Sequence, residues 1–348
     1  MKIAVISSTV FPSPPSGYAG LEMVAWQQAS GLAALGHQVT LFAPDGSTCP
    51  GGQVFGFGPP GRISEVDAYG KYWQYLPQFD AVIDNSWQKW AYSLKAEGRL
   101  NAPVLGVMHA PVDTMLSSPP PVPKPCVVCI SDDQKAHYEA LFGGQARRAY
   151  NGIDLEYYKP LGLPRSGRFL FLGRFSSVKS PDLAIEACLA AGVGLDLVGD
   201  TKLTGEPELF EKCKRLCDGE QIRMVGPASR GECVWWFSQA HALVHPVKNF
   251  REPFGLAPVE AQACGCPVIA WDNGAMKETV EHGRTGWLVT SVDDLVNRIK
   301  STAGEFRAYP GGKENLRGNC REWAGQFSVQ NHAKRYDELC QEAIRGGW

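Results

Sequence analysis

The strongest constraint on this chain is a repeated alternation of short apolar run, turn and amphipathic helical stretch. Lys2–Ser7 reads as a buried strand. Residues 21–35 then place Leu21, Val24, Ala25, Ala29, Leu32 and Leu35 on one helical face, and Gly36 stands where a helix-ending glycine belongs. Val39–Ala43, Ala81–Ile83, Val104–Met108 and Val127–Ser131 continue the strand series. Runs that are apolar on both faces suit parallel strands covered by helices. The same alternation restarts after the turn-rich stretch Pro160–Gly167. Strands are expected at Phe169–Gly173, Leu195–Gly199, Ile222–Gly226, Ala242–Pro246 and Pro267–Trp271. Ser180-Pro181-Asp182 reads as a helix start with Ser180 as the N-cap, and Ser229 with Glu232 as a capping box. The terminal helix is expected over Phe327–Ile344.

A chain of 348 residues suits two domains. The expected fold is α/β, with two Rossmann-like halves joined near residue 160 and facing each other across a cleft. The amino-terminal domain covers 1–160 and the second domain 161–326, while 327–348 forms a helix placed to pack back on the first. No repeat of 20–50 residues is visible. In open α/β sheets ligands bind beyond the carboxyl ends of the strands, so the loops there are where function is expected.

Charge and cysteines exclude several functions. Lys and Arg number 34 against 36 Asp and Glu, which argues against a dedicated nucleic-acid binder. No apolar run reaches the roughly 18 residues of a membrane span. The apolar start is too short for a secretory leader. Eleven cysteines scattered over a long chain read as free thiols in a reducing cytoplasm. Cys126 and Cys129 resemble a Cys-x-x-Cys site, but side chains three apart on a strand face opposite ways. Asp132-Asp133 and Asp293-Asp294 read as helix N-cap acids, and no Asp-x-Asp metal motif appears. Ser117–Pro123 is a short polyproline-like loop.

Residues 251–270 carry the most chemistry. They follow a strand, and Glu252 and Glu260 stand eight apart, one in the loop and one early in a helix opened by Gly255 and Pro258. A helix N-terminus offers free N–H groups to an anion. Two acids flanking such a site suit a nucleotide sugar, whose hydroxyls lie on either side of a diphosphate. Helix capping explains either acid alone; the spacing, with Phe254-Gly255 and Cys264-Gly265-Cys266-Pro267 around it, favours a site. Arg174 and Lys179 follow another strand end and suit phosphate recognition. Gly20, in the loop Ser16–Glu22 before the first helix, lets backbone N–H groups approach an anion; Tyr18 and Glu22 fit a plain turn equally well. His109 ends the strand Val104–Met108 and suits a hydrogen bond to a sugar hydroxyl or a leaving-group oxygen. His245 reads as an ordinary structural histidine. Asp84-Asn85-Ser86-Trp87 and Trp90 suit an acceptor pocket, though core packing accounts for them better.

This segment resembles the E-x7-E signature of the family 4 retaining glycosyltransferases, which have the GT-B fold. The resemblance extends through Trp271–Ala275, Glu278 and Gly283–Val289, and covers Asn151–Asp154 and Phe171–Arg174 with Lys179. It implies that Glu252 contacts donor-sugar hydroxyls and Glu260 holds the ribose. It also implies that Arg174 and Lys179 bind the diphosphate, that His109 lies beside the donor sugar, and that Gly20 belongs to a glycine-rich loop. Phe254, Gly255 and Leu256 complete the implied donor site, and no metal is required.

The expected activity is transfer of a hexose from a UDP- or GDP-sugar to an acceptor hydroxyl, with retention implied by the resemblance and closure of the halves completing the site. Another GT-B enzyme, such as a sugar-nucleotide epimerase or a phosphorylase, fits the same residues. So does a non-catalytic sugar-nucleotide sensor, against which the intact Arg174, Lys179 and Glu252 argue. Residues 1–150 hold ten Lys and Arg against eleven Asp and Glu, so no polybasic face for anionic lipid is present. A soluble small-molecule or glycan acceptor is expected, with no nucleic-acid partner and no strong membrane attachment.

Overall fold

Apolar burial selects the strands. The structure, a computed structural model, describes residues 1–17, 19–115, 126–201, 205–308 and 314–348. Tyr18 and the proline-rich segment 117–123 lie outside the described residues. The chain forms two units, Met1–Gly152 with Phe327–Trp348, and Ile153–Gln326.

The first unit runs β1 (Lys2–Ile6), α1 (Gly20–Ala34), β2 (Gln38–Ala43), β3 (Gln53–Gly56), α2 (Glu65–Tyr72), β4 (Ala81–Asp84) and α3 (Ala91–Ala96). It continues with β5 (Val104–Met108), β6 (Val127–Cys129), α4 (Asp132–Phe142) and β7 (Ala146–Arg148). These strands form one parallel sheet in the order β3-β2-β1-β4-β5-β6-β7. Ile3, Val82, Ile83, Val104 and Leu105 have no solvent exposure, as covered parallel strands require.

The second unit runs β8 (Phe169–Leu172), α5 (Pro181–Ala191), β9 (Leu195–Val198), α6 (Pro207–Arg215), β10 (Ile222–Gly226), α7 (Arg230–Gln239) and β11 (Leu243–His245). It ends with α8 (Leu256–Ala263), β12 (Val268–Trp271), α9 (Met276–Thr279), β13 (Gly286–Val289), α10 (Val292–Ala308) and α11 (Glu314–Ala324). Its sheet is also parallel, in the order β10-β9-β8-β11-β12-β13. Phe169, Phe171, Leu195, Leu197 and Ile269 centre the core; burying one such side chain contributes roughly 2 kcal/mol.

The chain returns to the first unit as α12 (Val329–Ile344), which lies against α1. A Cβ on Gly31 would lie 2.7 Å from the Cβ of Ala333, so the two helices meet at a glycine. His37 to Asp337, at 3.0 Å, and Arg147 to Glu342, at 2.7 Å, pin the same helix.

The structure corrects several local expectations. Three strands, β3, β7 and β13, were not expected, because they are short and β3 and β7 carry little buried apolar sequence. Ser180 is left-handed, with φ of 53°, and its hydroxyl donates to the Ser177 carbonyl instead of capping α5. Ser131 caps α4, so Asp132 and Asp133 follow in its first turn; Ser291 likewise accepts from the Asp294 N–H. Cys126 precedes β6 in a left-handed turn; it and Cys129 are buried free thiols. The Ser229–Glu232 capping box is present.

Candidate functional site

In the second unit the strand order reverses between β8 and β11. Such a switch point leaves a crevice at the carboxyl ends of the two strands. The loop after β8 carries Arg174 and Lys179, and the loop after β11 carries Glu252. Lys179 Nζ donates to Glu252 Oε2, and His245 Nε2, on β11 itself, lies 3.5 Å from the same oxygen. The Glu252 side chain is only 8% exposed and that of Lys179 21%. Burial alone would raise the Glu252 pKa, but the Lys179 charge and the His245 and Lys179 hydrogen bonds prevail and hold it at about 2. Burial pushes the His245 imidazole pKa down, and Glu252 pulls it the other way.

Backbone geometry fixes this carboxylate. Gly274, with φ of 60°, packs so closely on the Glu252 backbone that any side chain would collide with it, and the Ala275 N–H donates to the Glu252 carbonyl at 2.9 Å. Gly255, with φ of 83°, is the N-cap of α8 and has no side chain to occupy the free N–H groups of the first turn. Leu256 opens that helix. Phe254 is fully buried, so its side chain is not open to a ligand. Arg174 is exposed and makes no ion pair among the described residues. An uncapped helix start with a free guanidinium and an ionised carboxylate suits a polyhydroxylated anion.

Glu260 lies one turn further along α8, buried, and hydrogen-bonds the phenol of the buried Tyr158. Arg230, the first residue of α7, stands over the Tyr157 ring at 4.4 Å and also bonds the Tyr158 hydroxyl. Sequence reasoning missed Tyr158 and Arg230, which the chain separates widely from Glu260. It also set aside His245, whose one available sign was its place at the end of the strand preceding Glu252.

In the first unit the order reverses between β1 and β4. Gly20 opens α1 after β1, and α1 has no side-chain cap. Glu22 is buried and accepts from Ser8; burial raises its pKa and that hydrogen bond opposes the rise. His109 follows β5, and its Nε2 lies 2.9 Å from Asn85 Oδ1, just beyond β4. Burial pushes the His109 pKa well down, and the charges of Lys89 and His332 push the same way. Asp84, Asn85 and Ser86 are buried, Trp87 is exposed, and Trp90 stacks on Tyr69 at 5.8 Å. The structure thus groups Arg174, Lys179, Glu252, Gly255, Leu256 and Glu260 on the second unit's switch-point loops and α8, and puts Gly20 and His109 in the first unit.

Among the described residues no group of three or more His, Cys, Asp or Glu side chains converges as a metal site. No described helix is long and apolar enough to cross a membrane.

Comparison with known proteins matches both halves. The model described as Glycosyl transferases group 1 matches residues 159–303, and that described as Glycosyltransferase Family 4 matches residues 18–157. A D-inositol 3-phosphate glycosyltransferase of Streptomyces avermitilis is 32% identical over 186 residues, 47% of this chain and 39% of that protein. This match spans well under two thirds of the relative's length. Sucrose-phosphate synthase from Thermosynechococcus elongatus shares the fold with a TM-score of 0.81 at 22% identity, covering 99% of each chain. The Anabaena protein HepE, solved in complex with UDP-glucose, aligns with a TM-score of 0.76 at 21% identity over 98% of this chain and 100% of that one.

Proposed function

Since the chain belongs to the glycosyltransferases of the family 4 kind, with the GT-B fold, we propose that it moves a hexose from a UDP- or GDP-sugar to an acceptor hydroxyl with retention at the anomeric carbon. The observation that carries this reading is the buried Lys179–Glu252–His245 cluster beside the uncapped start of α8. Arg174, Lys179 and the first turn of α8, with Gly255 and Leu256, neutralise the departing diphosphate, where preorganised positive charge gives its largest rate effect. Glu252, ionised and held by His245, orients the sugar through its hydroxyls. Glu260, steadied by Tyr158, takes the ribose. In the first unit His109 offers a hydrogen bond to a sugar hydroxyl, and the backbone at Gly20 offers N–H groups to an anion. No metal enters this scheme, because cationic side chains and helix N–H groups meet the leaving charge.

The second unit is assigned the donor and the first unit the acceptor, a small soluble molecule or a glycan. The relatives named for D-inositol 3-phosphate support a small polyol acceptor. Eleven free cysteines, ten of them buried, suit a reducing cytoplasm. The test is donor consumption with and without acceptor, after a thermal-shift comparison of uridine, guanosine and adenosine diphosphates. Acceptor-dependent release of the nucleoside diphosphate is expected. Phosphorolysis or epimerisation of the donor without acceptor would replace this reading with another GT-B activity.

A further inference from the structure

The loop that delivers Glu252 has no regular structure of its own: from Pro246 to Gly255 the chain forms neither helix nor strand. What holds it comes from the turn between β12 and α9, in the same unit. Asn273 Nδ2 donates to the Lys248 carbonyl at 2.9 Å and to the Phe250 carbonyl at 3.1 Å. At the next residue, Gly274, a Cβ would lie 2.6 Å from the Glu252 nitrogen. The Ala275 N–H then donates to the Glu252 carbonyl at 2.9 Å. Three consecutive residues thus grip three alternate residues of the loop, Lys248, Phe250 and Glu252.

The partners settle which way the Asn273 amide points. Both are main-chain carbonyl oxygens, which only accept, and the amide NH₂ carries two hydrogens, one for each. The reverse orientation would set three oxygens against one another. The turn that carries the amide is itself anchored: the Asn273 N–H donates to the Trp271 carbonyl at 2.9 Å, and the Asp272 N–H donates to the Val289 carbonyl of β13 at 2.8 Å. The gripped loop meets the Lys179–Glu252 pair twice. Glu252 belongs to the loop, and the Phe250 ring lies 5.7 Å from the Lys179 ammonium. The Lys248 ammonium lies 6.0 Å from the Trp271 ring, a further tie between the same two segments.

We propose that Asn273 is a positioning residue: by tying the Lys248 and Phe250 carbonyls to one amide it fixes the loop that presents Glu252 to Lys179, and so sets the rate of sugar transfer without binding substrate itself. This rests on the transferase reading above and deepens it. Arg174, the start of α8 and Glu260 are assigned the nucleotide, and the two Asn273 amide bonds go to none of them. Loosening the loop therefore acts on the step at the sugar more than on the hold on the nucleoside diphosphate.

The test compares wild type with Asn273→Ala in three measurements. Release of nucleoside diphosphate from a UDP- or GDP-sugar is expected to slow roughly tenfold, the worth of one hydrogen bond. Calorimetric affinity for UDP or GDP alone is expected to stay close to wild type. The Glu252 carboxyl, followed by ¹³C NMR with Glu252→Gln assigning the signal, is expected to titrate at about 2 in the wild type. In Asn273→Ala it is expected to titrate about one unit higher, as the Lys179 contact loosens. An unchanged Glu252 titration in Asn273→Ala would overturn the proposal. So would nucleoside diphosphate affinity that falls in step with the rate, because that marks general damage to the crevice. Asn273→Asp keeps the size of the side chain and removes its hydrogens, so it repeats the rate and affinity comparison if Asn273→Ala does not fold. The titration needs no substrate. A raised value in a protein that transfers no sugar keeps the positioning of Glu252 and removes only the transferase reading.

Discussion

Glu252 is the residue on which energetics and function meet. Its folded pKa of about 2 lies below its ordinary value of 4.5. It therefore stabilises the fold fully above about pH 4.5, by roughly 3 kcal/mol, and loses that contribution as pH falls toward 2. Lys179→Met should flatten this acid limb in denaturant titrations run across that range. It should also cost about 3 kcal/mol at pH 7, because it strands a buried carboxylate. Glu252→Gln should cost less, since Lys179 is more exposed and reaches water. The double variant should recover much of the Lys179→Met loss, and simple additivity in that cycle would count against a coupled pair. Glu260→Ala should weaken nucleoside diphosphate binding by about tenfold in titration calorimetry, the worth of a charged hydrogen bond. Wild-type affinity would remove its ribose role.

Among the elements, α12 depends most on a single small residue. Gly31 lies inside α1, where glycine is usually costly, and its compensation is the close approach of Ala333. Gly31→Val should destabilise the first unit by about 1–3 kcal/mol through overpacking, measured by chemical unfolding. A neutral result would mean the two helices are not in contact in solution. The ten expected strands are all present; nine are covered apolar runs, and the tenth, β10, is a half-exposed edge strand. The short edge strand β7 was illegible, since two of its three residues are arginines. Cap details were also misread at Ser180, whose left-handed backbone comes from the loop that places Lys179.

Across the whole molecule, both sheets reverse their strand order once, and residues singled out in the sequence follow the strands that flank each reversal. The second unit's cluster was legible because its residues belong to one signature and two loops close in sequence. The supporting partners were not legible. Tyr158 and Arg230 reach Glu260 from distant parts of the chain, and only the fold brings them there. The two family models divide between the halves in the same way, one on each. The most direct test of the account is the anomeric configuration and rate of product formed from a UDP- or GDP-sugar by the wild type and by Glu252→Gln. Retention is expected, with the variant folded, still binding nucleotide, and slower by about 10²–10³-fold. An inverted product, or Glu252→Gln turning over donor at the wild-type rate, would contradict it.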